Sequence, residues 1–87
     1  MHESHLIAGL MKKLEAIAKE ERARKITGIK IKLGALSHMS EGHFREHFEH
    51  ASQGTVAEGA ELDIEMQTDI HDPHAQEIIL DSVIVAE

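Results

Sequence analysis

The hydrophobic period of this chain switches from 3.6 to two near residue 25, and that switch excludes an all-helical or all-strand fold. Over residues 4–22, Leu6, Ile7, Leu10, Met11, Leu14, Ile17 and Ala18 recur at three- and four-residue spacing, with Lys12, Lys13, Glu15, Lys19 and Glu20 opposite. This is one amphipathic helix, and Ser4 is the expected N-cap. Gly9 inside it costs about 1 kcal/mol against Ala and marks an expected close approach to a neighbouring backbone. Residues 25–33 then alternate, Thr27, Ile29, Ile31 and Leu33 against Gly28, Lys30 and Lys32. That pattern predicts a half-buried strand with a basic outer face, ended by Gly34. Ser40 precedes a second helix, about 41–52, with Phe44, Phe48 and Ala51 as its apolar stripe.

A loop with Gly54 and Gly59 leads to a second alternating strand at 60–67, with Leu62, Ile64 and Met66 inward and Glu61, Asp63, Glu65 and Gln67 outward. Asp72-Pro73 marks a turn. The last strand, 76–86, loses its alternation around Asp81-Ser82, the mark of a bulge or of a strand touched on both faces. The order α-β-α-β-β predicts an α+β fold: a three-stranded, mainly antiparallel sheet with two helices packed on one face. Opposite charges on Lys30 and Lys32 and on Glu61, Asp63 and Glu65 favour pairing of those two strands by a few tenths of a kcal/mol per pair.

Eighty-seven residues make one domain, and with two Phe and no Trp or Tyr its core is aliphatic. A net charge of -7 and the lack of an aromatic platform argue against nucleic-acid binding. No apolar run reaches the length of a membrane span, and no signal segment leads the chain, so a cytoplasmic protein is expected. Zero cysteines exclude disulfides, thiolate catalysis and Cys-type zinc sites within these residues. Nor is there a GxSxG elbow or a Gly-rich phosphate loop. Nothing selects an enzyme.

The chemistry available lies in eight histidines. Met1-His2-Glu3 places an α-amine, backbone amides and an imidazole where they can close chelate rings around one ion. The amine sheds its proton near pH 7.7–8, and such nitrogen-rich planar sets suit Ni(II) and Cu(II). By itself a leading Met-His is more often a frayed end than a ligand set. His43, His47 and His50 fall in one stripe of the second helix. Their spacing suits two imidazoles sharing zinc or nickel, and equally suits neutral rings flanking the Phe44–Phe48 face. His71 and His74, around Asp72-Pro73, read as a weak metal clasp or as solvated turn residues. His5 and His38 stand alone.

Four ordered blocks carry a resemblance beyond these local readings. Met1-His2-Glu3, the stretch Ile29-Lys30-Ile31-Lys32-Leu33-Gly34-Ala35-Leu36-Ser37, the helix Phe44-Arg45-Glu46-His47-Phe48-Glu49 and the loop from Gly54 to Leu62 resemble the HypA/HybF family of nickel-insertion accessory proteins. The similarity runs from residue 1 to about 67 and resumes over 76–86. It implies a nickel metallochaperone rather than an enzyme, with Ni(II) held by Met1, His2 and Glu3, the amine and backbone nitrogens completing a planar set. His2 is too bulky a second residue for ordinary removal of Met1. It further implies two partners, a nickel-delivery GTPase and the large subunit of a [NiFe]-hydrogenase or related nickel enzyme. The family's zinc domain, with its two CxxC pairs, is missing between the last two strands, and residues 69–74 bridge the gap. No zinc is therefore expected at a Cys site, and 1–87 reads as a single nickel-binding domain. Some members carry an acidic residue after the Gly-x-Leu-Ser turn, where this chain has Ser40 and then Glu41. The alternative reading is a metal-independent interaction module with the same fold. Strand exchange at the shortened turn would give a homodimer.

Overall fold

The computed structural model describes residues 2–37 and 39–86, with side chains from Leu6 onward. Five elements follow in order: α1 (His2–Glu20), β1 (Lys25–Leu33), α2 (Glu41–Ser52), β2 (Glu61–Met66) and β3 (Ile78–Ala86). The α+β order is as expected. The sheet is mixed, in the order β2-β1-β3, with β1 and β2 parallel and β1 and β3 antiparallel. The expectation of a mainly antiparallel sheet thus holds only for β3. The reason is the connection: residues 34–60 carry α2 across one face, and a crossover of that length returns the chain parallel to the strand it left.

α1 starts at His2, so Ser4 is a residue of the helix and not its N-cap. Its C-terminus is closed by a Schellman motif, Ala23 N–H donating to Ala18 O at 2.9 Å and Arg22 N–H to Lys19 O at 3.2 Å. Arg22 takes the left-handed conformation there, with φ 54°, where glycine is usual. The buried face of α1 is Ile7, Leu10, Met11, Leu14 and Ala18.

In β1 the buried apolar side chains are Ile26, Ile29, Ile31 and Leu33, and Thr27 is exposed. The pairing with β3 passes from Ile26↔Val85 to Gly28↔Ile84, leaving Thr27 as an extra residue. This bulge shifts the alternation by one, which brings Ile26 rather than Thr27 into the core. A second irregularity skips Asp81, between Lys30↔Ser82 and Ile31↔Leu80, at the position where the pattern slips in sequence. On the outer face Lys30 stands opposite Asp63 and Lys32 opposite Glu65, the charge pairing expected. Lys30 makes its ion pair with the bulged Asp81, at 3.8 Å.

Both helices cover the same face. Phe44 and Phe48 of α2 join the α1 stripe and the inward residues of β1 in one core, together with Met39 and Ala57. Ser52, not Ala51, completes the buried stripe of α2. β2 is an edge strand, and Met66 at its end is 44% exposed.

Two glycines differ in kind. A Cβ on Gly34 would lie 2.1 Å from the Ala75 carbonyl oxygen, so only glycine fits where the chain leaves β1. A Cβ on Gly9 would meet nothing within 4 Å, so the close approach expected there does not occur. Gly34→Ala should therefore destabilise by at least about 2 kcal/mol, the cost of overpacking against backbone. Gly9→Ala should stabilise by up to about 1 kcal/mol. Thermal melts check both, since 1 kcal/mol moves the midpoint of a domain this size by about 4–8 °C.

Candidate functional site

Element lengths decide which groups meet. α1 has 19 residues and so runs about 28 Å at 1.5 Å per residue. β1 has nine, about 30 Å at 3.3 Å per residue. Joined by the tight turn after Glu20, the two run back along each other at matched length. The start of α1 therefore lies level with the end of β1. A shallow cleft lined by Leu6, Gly9 and Leu10 of α1 and by Glu77, Ile78 and Leu80 lies along this junction.

Three further segments reach the same pole. The turn after β1 is tied to the approach to β3, with Gly34 N–H donating to Glu77 O at 2.9 Å and Leu36 N–H to Ala75 O at 2.7 Å. β2 ends there as well, Gln67 N–H donating to Leu33 O at 2.8 Å. α2 begins there, capped by Ser40, whose hydroxyl accepts from His43 N–H at 3.2 Å. The pole thus gathers the start of α1, the 34–37 turn, the 67–77 connection and the first turn of α2.

Of the expected nickel ligands, Met1 and the side chains of His2 and Glu3 lie outside the described residues, as do His38 and the side chain of His5. The backbone of His2 and Glu3 forms the first turn of α1. The residues that follow the Gly-x-Leu-Ser turn have structural partners. Ser40 is the cap. Glu41 accepts from Arg45 Nε at 3.1 Å, and Arg45 also donates through Nη2 to Leu62 O at 3.2 Å, tying α2 to the β2 edge. Sequence reading missed this role of Arg45; the i,i+4 spacing from Glu41 was its available signal.

The histidines of α2 lie on one side of the helix, His43 and His50 exposed and His47 half-buried. The His43 and His47 rings stand 4.9 Å apart between centroids, tilted by 45°. In the 67–77 connection two Asx turns set the backbone, Asp69 Oδ1 accepting from His71 N–H at 2.9 Å and Asp72 Oδ1 from His74 N–H at 2.7 Å. His74 Nδ1 pairs with Glu77 Oε2, so this imidazole is engaged within its own turn. Among the described residues no three His, Asp or Glu side chains gather as a metal site. No helix among them is long and apolar enough to cross a membrane.

These features define a small mixed-sheet domain with an open pole that carries imidazole and carboxylate groups, and with no metal cluster enclosed among the described residues. Residues 1–71 match the family model described as hydrogenase/urease nickel incorporation, metallochaperone, hypA, and the chain belongs to this family. It is 38% identical over 66 residues to the hydrogenase maturation factor HypA of Desulfitobacterium hafniense, covering 76% of this chain and 58% of that protein. Against the hydrogenase maturation factor HybF of Salmonella typhimurium it is 35% identical over 65 residues, 75% of this chain and 58% of the relative. The chain thus matches less than two thirds of the length of these relatives. In fold it is similar to the solution structure of the Ni metallochaperone HypA from Helicobacter pylori, with a TM-score of 0.78 at 23% identity over 100% of both chains.

The pair at His74 gives a testable titration. The hydrogen bond to Glu77 raises the His74 pKa above its ordinary 6.5, helped by the charge of Glu77 and, less, by that of Asp72, against an opposing effect of desolvation. A raised folded-state value means the pair stabilises the fold fully below pH 6.5 and loses that contribution as pH rises through the raised value. In an NMR pH titration the His74 ring should show a midpoint above 6.5, and Glu77→Gln should return it towards 6.5.

Proposed function

We propose that this chain is a nickel-holding accessory domain, not an enzyme, which grips Ni(II) at Met1, His2 and Glu3 and passes it on during maturation of a [NiFe]-hydrogenase or related nickel enzyme. The observation that supports this most is the family match, which begins at residue 1 and so includes the tripeptide. In this reading the Met1 amine is free. It joins the backbone nitrogens and the His2 imidazole in a planar set, with Glu3 adding a carboxylate oxygen.

The helical start of α1 at His2 supports the chemistry. Amide N–H groups in the first turn of a helix have no acceptor within it. Giving up their protons to bind nickel costs the helix no hydrogen bond. The positive end of the helix dipole favours deprotonated nitrogen there. Two amide anions offset the charge of one divalent ion, so the loaded site does not oppose that field. Fast hand-over needs an exposed ligand set, which in this reading the Met1-His2-Glu3 segment supplies.

The partners in this reading are those the family implies, a nickel-delivery GTPase and the large subunit of the nickel enzyme, in the cytoplasm. Residues 1–87 act as one nickel-binding domain, with 69–74 in place of the zinc-domain insertion. With no cysteine in the chain, coupling through a Cys-bound zinc has no part in it.

Calorimetric titration of the untagged protein with Ni(II) tests this. One ion should bind per chain, and affinity should fall with pH below about 7.7–8 as the amine takes up its proton. His2→Ala should abolish binding, and so should one residue added before Met1. Stoichiometric binding that survives both changes contradicts the location. Binding weaker than about 1 mM would favour the metal-independent interaction module instead.

A further inference from the structure

We infer that α2 carries a second metal site, formed by His43 and His47, which takes a borderline divalent ion such as Zn(II). The inference stands on the geometry of α2 and does not require the site at the chain start.

Residues four apart on a helix are neighbours on one face. His43 is exposed and His47 half-buried, while Phe44 between them enters the core. The ring separation is the quantity that matters. An imidazole nitrogen binds zinc at about 2.0–2.1 Å, which puts the ring centroid about 3.2 Å from the ion. Two such rings bound side by side, with a nitrogen–metal–nitrogen angle of about 90–110°, have centroids about 4.5–5.2 Å apart. The observed separation of 4.9 Å falls inside that window. The centroid spacing is therefore one that bidentate capture can use. The core anchors this spacing, because Phe44 and Phe48, 0% and 3% exposed, lock α2 against the sheet.

His43-Phe44-Arg45-Glu46-His47 also has the H-x-x-E-H spacing that places two zinc ligands and a carboxylate on one helix of some metallohydrolases. A hydrolytic centre needs a third protein ligand, and no group of three His, Asp or Glu gathers among the described residues. With these two imidazoles as its ligands among the described residues, the site binds an ion with rapid exchange. Because α2 begins at the pole shared with the start of α1, an ion held at its first turns sits on the same end of the molecule.

The test uses the full chain carrying His2→Ala, so that loss of binding at the chain start cannot be confused with loss at α2. Zn(II) is titrated by calorimetry, with histidine ring NMR in parallel. One ion should bind and shift the His43 and His47 rings. His43→Gln or His47→Gln should each weaken binding by more than the about tenfold that even an outer-shell partner is worth. His50→Gln should change it less than either. Circular dichroism checks that α2 stays folded. Unchanged Zn(II) affinity in the His43→Gln/His47→Gln double variant overturns the proposal, as does failure of the His2→Ala protein to bind Zn(II).

Discussion

The burial of β1 is the constraint on which the rest of this structure depends. It is the central strand, hydrogen-bonded to β2 on one side and β3 on the other. Ile26, Ile29, Ile31 and Leu33 are no more than 2% exposed. Burying each such side chain is worth about 1.5–3 kcal/mol, and both helices draw on this one row. α1 and α2 therefore share a face of the sheet. The other face is left to the Lys30, Lys32, Asp63 and Glu65 pairing and to Ile84, which is 66% exposed. A chain of this size has no second core to fall back on.

Where β1 ends, the constraint becomes positional. Gly34 passes so close to His74 and Ala75 that no side chain fits. That contact fixes the 67–77 connection against the 34–37 turn and brings the start of β3 beneath the first half of α1. The Ser40 cap starts α2 at the same level. At the pole, backbone is thus packed directly against backbone. The chemistry proposed for the pole lies elsewhere, on the leading nitrogens of α1 and the imidazoles of α2. That division suits a carrier, which must hold an ion in ordered geometry and still release it.

Much of this was legible in the sequence because period and capping are local. The bounds of β1 and α2 and the Ser40 cap follow from alternation and from helix-start chemistry, and the slip at Asp81-Ser82 marks the bulge. What escaped depends on non-local pairing. The Thr27 bulge exists only against Ile84 and Val85, so the burial of Ile26 could not be read from β1 alone. The parallel placement of β2 is set by the crossover through α2, not by any pattern within β2. Ser52 rather than Ala51 is buried because the helix turns its last residue towards the core, where hydroxyl and backbone bonds to Glu49 and Thr55 satisfy it. At the candidate site, Ser40 and Glu41 were noted by their place after the turn, and the structure gives both to α2. The tripeptide was singled out by its donor chemistry and its family resemblance, and its role as the nickel site is a proposal.

The most direct measurement of the central claim is an NMR titration of the untagged protein with a single equivalent of Ni(II). A planar nitrogen set holds Ni(II) in a diamagnetic state. The spectrum should therefore stay sharp, with shifts confined to the first turn of α1 and its immediate neighbours at the pole. Paramagnetic broadening centred on α2 or on 67–77, with the first turn of α1 unaffected, would contradict the account.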